Sequence, residues 1–224
     1  MRIVMVANNK GGAGKTTVGS HIVWRAVGLD LATLAIDCDR QADMYRRLVG
    51  DNADLDACPH ERIAKNSWAV VSADVYQLPQ PSQPQYQLVL IDTPPGVEPP
   101  KGPTPHVVLI PIDGIDAARN ANETIAWARD NHVRPIVVFN GVAEGGQRYE
   151  REFERMRRRM PKDVDVAPVT LLRGPGIRRT AMTCRPVWED VYLGKDGRAM
   201  EAFCNWFMTE QGLTASTTRK VANG

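Results

Sequence analysis

The sequence predicts an α/β protein built on a doubly wound, mostly parallel sheet. Three observations carry that prediction. Short apolar runs at Ile3–Ala7, Leu31–Ile36, Leu88–Asp92, Val107–Ile112 and Val133–Phe139 alternate with helix-period segments, the order a βαβ series requires. The runs are continuous rather than alternating, as in strands covered on both faces. The first three close on glycine- or aspartate-bearing turns, at the sheet end where open parallel sheets hold their ligands.

At 224 residues the chain is long enough to bury one full core. One domain is expected over residues 1–212, followed by a polar tail at 213–224 that lacks the apolar content to order itself. The net charge is only +2, yet between Arg134 and Arg185 there are 12 Lys/Arg against 6 Asp/Glu, so the second half invites a polyanion. No apolar run approaches the ~18 residues that span a bilayer, and the N-terminus lacks signal-peptide design. Cys38, Cys58, Cys184 and Cys204 are scattered without Cys-x-x-Cys spacing, which points to reduced thiols in a cytoplasm.

After the first strand, residues 8–17 read Asn-Asn-Lys-Gly-Gly-Ala-Gly-Lys-Thr-Thr. A strand, a glycine-rich turn and Gly-Lys-Thr before a helix make a phosphate-binding loop. Gly11, Gly12 and Gly14 let the backbone curl so that its N–H groups meet an anion at the positive end of the helix. Lys15 is expected to reach the β- and γ-phosphates, and the Thr16 hydroxyl to bind the Mg²⁺ between them. Asn9 replaces the opening glycine of the common pattern, and a second lysine, Lys10, precedes Gly11.

Thr17 to Val27 reads as a helix with Val18, Ile22, Val23 and Ala26 on one face and Gly28 past its end. Leu31–Ile36 closes on Asp37-Cys38-Asp39, which places two carboxylates beside the loop. Residues 40–66 read as helical or irregular with Tyr45, Leu48 and Val49 inward. Trp68–Val71 and Val75–Leu78 read as short strands, and 80–87 as a Pro/Gln-rich loop. Leu88–Asp92 is an apolar strand closing on an aspartate, the Walker B pattern, so Asp92 is expected to hold Mg²⁺ through a water. Residues 94–105 hold six prolines, a density that excludes a regular helix.

Val107–Ile112 is a strand, Ala117–Asp130 a helix with Ala121, Thr124, Ile125 and Ala128 inward, and Val133–Phe139 a strand ending at Asn140. In the helix Gln147–Met160, Tyr149, Phe153, Met156 and Met160 form one stripe, and Arg148, Arg151, Arg155, Arg158 and Arg159 a neighbouring face. Val166–Leu172 is expected as the last strand, followed by a loop at 173–176 leading to Arg178 and Arg179. A final helix starting at Asp196 or Gly197 turns Met200, Phe203 and Phe207 inward and ends near Gly212.

Lys10-Gly11-Gly12-Ala13-Gly14-Lys15-Thr16-Thr17 closely resembles the deviant Walker A motif of the ParA/MinD family of P-loop ATPases. Asp37-Cys38-Asp39 resembles that family's Asp-x-Asp, though Arg40-Gln41 stands where it usually has Pro-Gln. Asp92-Thr93-Pro94-Pro95 looks like its Asp-Thr-Pro-Pro switch. The chain opens directly on the first strand, as in the small members without an N-terminal DNA-binding domain.

The resemblance implies a P-loop NTPase fold and Mg²⁺-dependent ATP hydrolysis. ATP would be held by Lys10, Gly11, Gly12, Ala13, Gly14, Lys15, Thr16 and Thr17, with Thr16, Asp37 and Asp92 around the metal. Asp39 would align the attacking water, and Lys10 and Lys15 would neutralise the transferred phosphoryl, Lys10 by crossing an ATP-bound homodimer to the partner's nucleotide. Asn140 stands where family members read adenine, and an amide offers the base both a donor and an acceptor; Asn140-Gly141 is equally a turn-forming pair.

The implied output is partition of plasmid or chromosomal DNA, in the cytoplasm and on the nucleoid. The dimer would hold DNA nonspecifically until a centromere-binding ParB-type partner stimulates hydrolysis. Arg157, Arg158, Arg159, Arg178 and Arg179 are the candidate phosphate contacts; a solvated helix laced with Glu150, Glu152 and Glu154 is the equal alternative. Two other readings are the positioning of a protein cargo and an ATP-dependent ligase of the dethiobiotin synthetase kind, which Lys10 and the Asp-Thr-Pro-Pro run oppose. No membrane anchor is expected, because Thr217-Thr218-Arg219-Lys220 is too polar for an interfacial helix.

Overall fold

A computed structural model describes residues 1–50, 60–71, 86–96, 103–143, 147–191 and 193–214. In chain order the elements are β1 (Arg2–Val6), α1 (Lys15–Gly28), β2 (Thr33–Asp37), α2 (Asp43–Val49), β3 (His60–Ala64), β4 (Ser67–Val71), β5 (Leu88–Asp92) and β6 (Val107–Ile112). There follow α3 (Ile115–Asp130), β7 (Arg134–Phe139), β8 (Val142–Ala143), α4 (Gln147–Arg159), β9 (Asp165–Val166), β10 (Leu172–Arg173), α5 (Pro175–Thr183) and α6 (Lys195–Glu210).

The main sheet runs β3-β4-β2-β5-β1-β6-β7-β9. Every pair in it is parallel except β3 with β4. The expected doubly wound, mostly parallel architecture is therefore the fold. The chain lays β2 and β5 on one side of β1 and β6 on the other, so the strand order reverses at β1 and opens a crevice at the C-terminal ends. Register fixes what lines it: Val6 and Asp37 both pair with Asp92.

Alternation along each strand feeds two cores. Val4, Val6, Leu88 and Leu90 point to the face covered by α1, α2 and α6, with Ile177 of α5 packed on the same cluster. Ile3, Met5, Val89 and Ile91 point to the face covered by α3 and α4. The inward positions read from helical period hold: Val18, Ile22, Val23, Ala26, Tyr45, Ala121, Ile125, Ala128, Met200, Phe203 and Phe207 are buried. Fully burying a side chain such as Phe203 stabilises by about 1.5–3 kcal/mol over leaving it exposed. Cys38 and Cys204 are buried, and no disulfide forms among the described residues. None of the described helices is long and apolar enough to cross a membrane.

Four expectations are corrected. Among the described residues of the stretch 40–66, Asp43–Val49 is helical, whereas His60–Ala64 is a strand, antiparallel to β4 and carrying a register shift near Ile63; residues 51–59 fall outside the described residues. The single strand expected at Val166–Leu172 is two fragments: β9 extends the main sheet, while β10 pairs with β8 in a separate two-stranded sheet. Arg178 and Arg179 lie on helix α5, begun by Pro175 in its first turn, where a missing N–H costs nothing. The left-handed residue after α1 is Asp30, at φ 61°, and Gly28 ends the helix itself. Pro94, Pro95, Pro103 and Pro105 lie in irregular backbone. The expected strand at Val75–Leu78, most of the loop from Gln80, Pro99, Pro100 and the tail from Ala215 fall outside the described residues.

Candidate nucleotide-binding site

The loop between β1 and α1 is held from below by Asn8, a buried side chain. Its amide nitrogen donates to the Pro111 carbonyl at 2.7 Å and the Ala117 carbonyl at 3.3 Å, and its oxygen accepts the Lys10 N–H at 2.9 Å. Lys15 closes the loop on itself: its Nζ donates to the carbonyls of Asn8 at 3.0 Å and Lys10 at 3.2 Å. α1 has no acidic residue in its first turn and no side-chain cap, so its leading N–H groups and the positive end of its dipole are left for an anion.

Gly14 is the tightest point. It sits at φ 94°, and a Cβ there would lie 2.0 Å from Nδ2 of Asn140, which itself donates to the Ala13 carbonyl at 2.8 Å. Gly14→Ala is therefore expected to cost about 1–3 kcal/mol from backbone strain alone, read as a lowered Tm. Nucleotide affinity should fall with it, because the clash displaces Asn140 from the loop. An unchanged Tm would contradict this account of the turn.

Carboxylates line the other wall. The Thr16 hydroxyl donates to Asp92 Oδ2 at 2.8 Å. The second oxygen, Oδ1, is buried with no hydrogen-bond partner. Burial, followed by the neighbouring Asp37 charge, pushes the Asp92 carboxyl up to about 8. Burial likewise raises Asp37 to about 6. Both Asp37 oxygens accept backbone N–H groups, from Asp39 and Tyr45 at 3.0 Å each. Asp37 thus supplies the acceptor that Ala42, at the head of α2, cannot. Asp39 is half-buried and its carboxylate accepts the Gln41 N–H at 3.0 Å.

An orphaned buried carboxylate oxygen beside a threonine hydroxyl fits a divalent cation. Among the described residues no three His, Cys, Asp or Glu side chains converge as a metal cage, which suits a cation that completes its shell with phosphate and water. Lys15 is the opposing charge. Burial lowers its pKa, and Asp92 and Asp39 work against that shift.

Of the other predicted residues, Lys10 extends out of the loop and pairs with Asp113 of its own chain at 2.9 Å, one third of its side chain exposed. The five candidate arginines do not share a surface. Arg157 turns inward, its guanidinium 5.3 Å from the Phe139 ring centre and within reach of the Ala167 carbonyl at 3.4 Å. Arg158 pairs with Glu154 at 3.1 Å and Arg159 is exposed, both on α4. Arg179 pairs with Asp190 at 2.7 Å and Arg178 is exposed, on α5 across the sheet.

Sequence reasoning missed Asn8, Asp113 and Arg47, whose guanidinium donates to the Thr17 hydroxyl at 3.0 Å. A signal for Asp113 existed: Ile112-Asp113 repeats the Ile-Asp strand ending of Ile36-Asp37 and Ile91-Asp92. His21, one turn into α1, was missed as well. Its Nδ1 lies 2.7 Å from the Thr17 carbonyl and its Nε2 accepts the Val187 N–H at 3.4 Å.

Comparison with solved structures finds the same fold. MinD of Pyrococcus horikoshii OT3, complexed with Mg-ADP, is 18% identical, with a TM-score of 0.70 over 96% of this chain and 99% of that one. An ATP complex of a Cyanothece McdA variant is 15% identical, with a TM-score of 0.70 over 92% and 96%. A Borrelia burgdorferi B31 protein provisionally designated for plasmid partition, bound to AMPPNP, is 15% identical, with a TM-score of 0.66 over 93% and 99%. At such identities the likeness fixes the fold alone. No curated protein sequence matches. The CobQ/CobB/MinD/ParA nucleotide binding domain matches residues 4–183, four-fifths of the sequence, and the chain belongs to that family.

Proposed function

We propose that the chain is a ParA-type ATPase of DNA partition, which dimerises with ATP and Mg²⁺, holds DNA nonspecifically as a dimer, and releases it when a ParB-type partner stimulates hydrolysis. The observation that carries this reading is the contrast between two lysines on one loop. Lys15 is buried and spends its donors on the loop's own carbonyls. Lys10 projects beyond the loop and is held by a single carboxylate. A second ammonium beside the phosphate cradle, yet outside it, suits a phosphate belonging to another subunit.

In this reading the loop N–H groups and Lys15 bind the β- and γ-phosphates. Bound Mg²⁺ supplies charge neutralisation between those phosphates and the protein. Thr16 and Asp92 hold it, and Asp37 fixes the backbone from Asp39 to Tyr45. Asp39, the more accessible of the two strand-end carboxylates, orients water. Asn140 presents its remaining amide atoms to the base. Mg-ADP, ATP and AMPPNP in the MinD, McdA and Borrelia structures support the choice of ligand. For DNA, Arg178 and Arg179 on α5 are the proposed phosphate contacts.

Size-exclusion chromatography with light scattering tests the switch. With ADP the protein is expected to run as a monomer, and with a nonhydrolysable ATP analogue as a dimer that alone shifts a DNA duplex. Lys10→Ala should remain monomeric in both while still binding nucleotide. A monomer under all conditions, or a Lys10→Ala dimer, would overturn the reading.

A further inference from the structure

Between α3 and α4, on the face of the sheet away from α5, runs a groove of about 1050 Å³. Its α4 wall carries Arg151, Arg155 and Arg159, and its α3 wall adds Arg119. Three arginines at i, i+4 and i+8 stack on one helical face, where like charges repel. Among the described residues, none of the three takes part in an ion pair. The one ion pair of α4 among those residues is made by Arg158, outside the groove, and Glu152 is the sole acid on the groove wall. Arg119 pairs with Asp116 on its own helix, at 3.7 Å.

The walls are not purely polar. Ile115 stands 51% exposed at the mouth, and Met156 and Met160, partly buried against the core, lie along the other side. Methionine adapts its shape to a docking partner, and an exposed β-branched residue at a groove mouth is an anchor point. At 1.5 Å per residue the lining spans roughly 10 Å along α3 and roughly 13 Å along α4, about two turns of a helix.

From this juxtaposition we propose that the groove docks an acidic amphipathic helix of a partner protein, its apolar stripe on Ile115, Met156 and Met160 and its carboxylates on the four arginines. A helix of that kind satisfies both chemistries at once, with anchors at i, i+3 and i+7. A duplex satisfies only one, since phosphates leave the apolar lining uncovered. The site does not depend on the nucleotide reading and is measured without nucleotide.

The test is fluorescence anisotropy with three labelled probes. These are a 14-residue peptide with leucines at i, i+3 and i+7 and glutamates between, the same peptide with each leucine replaced by serine, and a 20-base-pair duplex. The leucine peptide is expected to bind, weakening with salt. Its affinity should fall at least roughly tenfold in Arg151→Gln/Arg155→Gln, since each lost contact is a charge-assisted one. It should fall in Ile115→Ser as well, with Tm unchanged because both sites are exposed. Equal binding of the serine peptide would reduce the groove to a plain basic surface and overturn the proposal. So would a duplex that binds more tightly than the peptide and is lost in the arginine variant.

Discussion

Replacing Lys15 by alanine is expected to abolish measurable ATP hydrolysis and to weaken nucleotide binding by more than roughly a hundredfold, about 3 kcal/mol. The reasoning starts from burial. An ammonium 7% exposed is rarely kept in a protein unless something anionic answers it, and among the described residues no carboxylate touches it: its two bonds go to main-chain carbonyls. Burial already lowers its pKa, so the folded chain holds a strained charge near Asp92 and Asp39 without a direct ion pair. A bound triphosphate provides the missing anion. The same substitution frees the Asn8 and Lys10 carbonyls, so loop shape and charge are lost together. Titration with a fluorescent ATP analogue reads the affinity, and circular dichroism checks that the fold persists. A variant that binds nucleotide within tenfold of the parent would remove the loop from the mechanism.

Asp92→Asn should act in two opposite directions. Without nucleotide it should stabilise the protein at pH 8, on the order of a few kcal/mol or 5–10 °C in Tm. The sign follows from proton counting. Below pH 4 both folded and unfolded chains carry the Asp92 proton, and the group is silent. Between 3.8 and about 8 the unfolded chain has released it while the folded chain keeps it. Stability therefore falls with rising pH by about 1.4 kcal/mol per unit across that window. Asp37, raised to about 6, steepens the lower part. His21 has the reverse sign: burial lowers it from 6.5 to about 4, so the unfolded chain takes up the extra proton there and stability rises with pH. Those two offset each other, and the Asp92 slope is what remains.

An asparagine carries no charge to desolvate and still accepts the Thr16 hydroxyl. On the proposed function the order should invert with Mg²⁺ and nucleotide, because the amide would no longer offer a carboxylate to the metal. The stabilisation that Mg²⁺-nucleotide confers on the parent should disappear in the variant. Thermal melts at pH 5 to 8, with and without Mg²⁺-nucleotide, read both effects. Superimposable parent and variant curves would show that the carboxylate is not the strained group described above.

What could be read in advance follows the range of the forces involved. Residues 8–17, 37–39 and 88–92 were legible because each is a local pattern, an apolar strand meeting a turn whose chemistry is fixed by a few neighbours. Strand β3 was not, because His60-Glu61-Arg62-Ile63-Ala64 is an edge segment whose pairing with β4, rather than its own composition, makes it extended. β9 and β10 have two residues each, too short for any periodicity to register. The arginines illustrate the same limit. Arg157, Arg158 and Arg159 are neighbours in sequence, yet a helix turns 100° per residue, so one lies over Phe139, one meets Glu154 and one faces the groove. Lys10 was visible from sequence, but its tether to Asp113, 103 positions away, needed the fold.

Among the described residues, the two borders of the main sheet bear on how copies of this chain can associate. One border, β9, offers only two residues for pairing; the other, β3, presents Glu61 and an exposed Arg62 stacked over Trp68. Short or charge-studded borders discourage a neighbouring chain from adding its own backbone. Self-association of copies is thereby expected to run through side-chain contacts, which can separate again, rather than through a continuous backbone ladder.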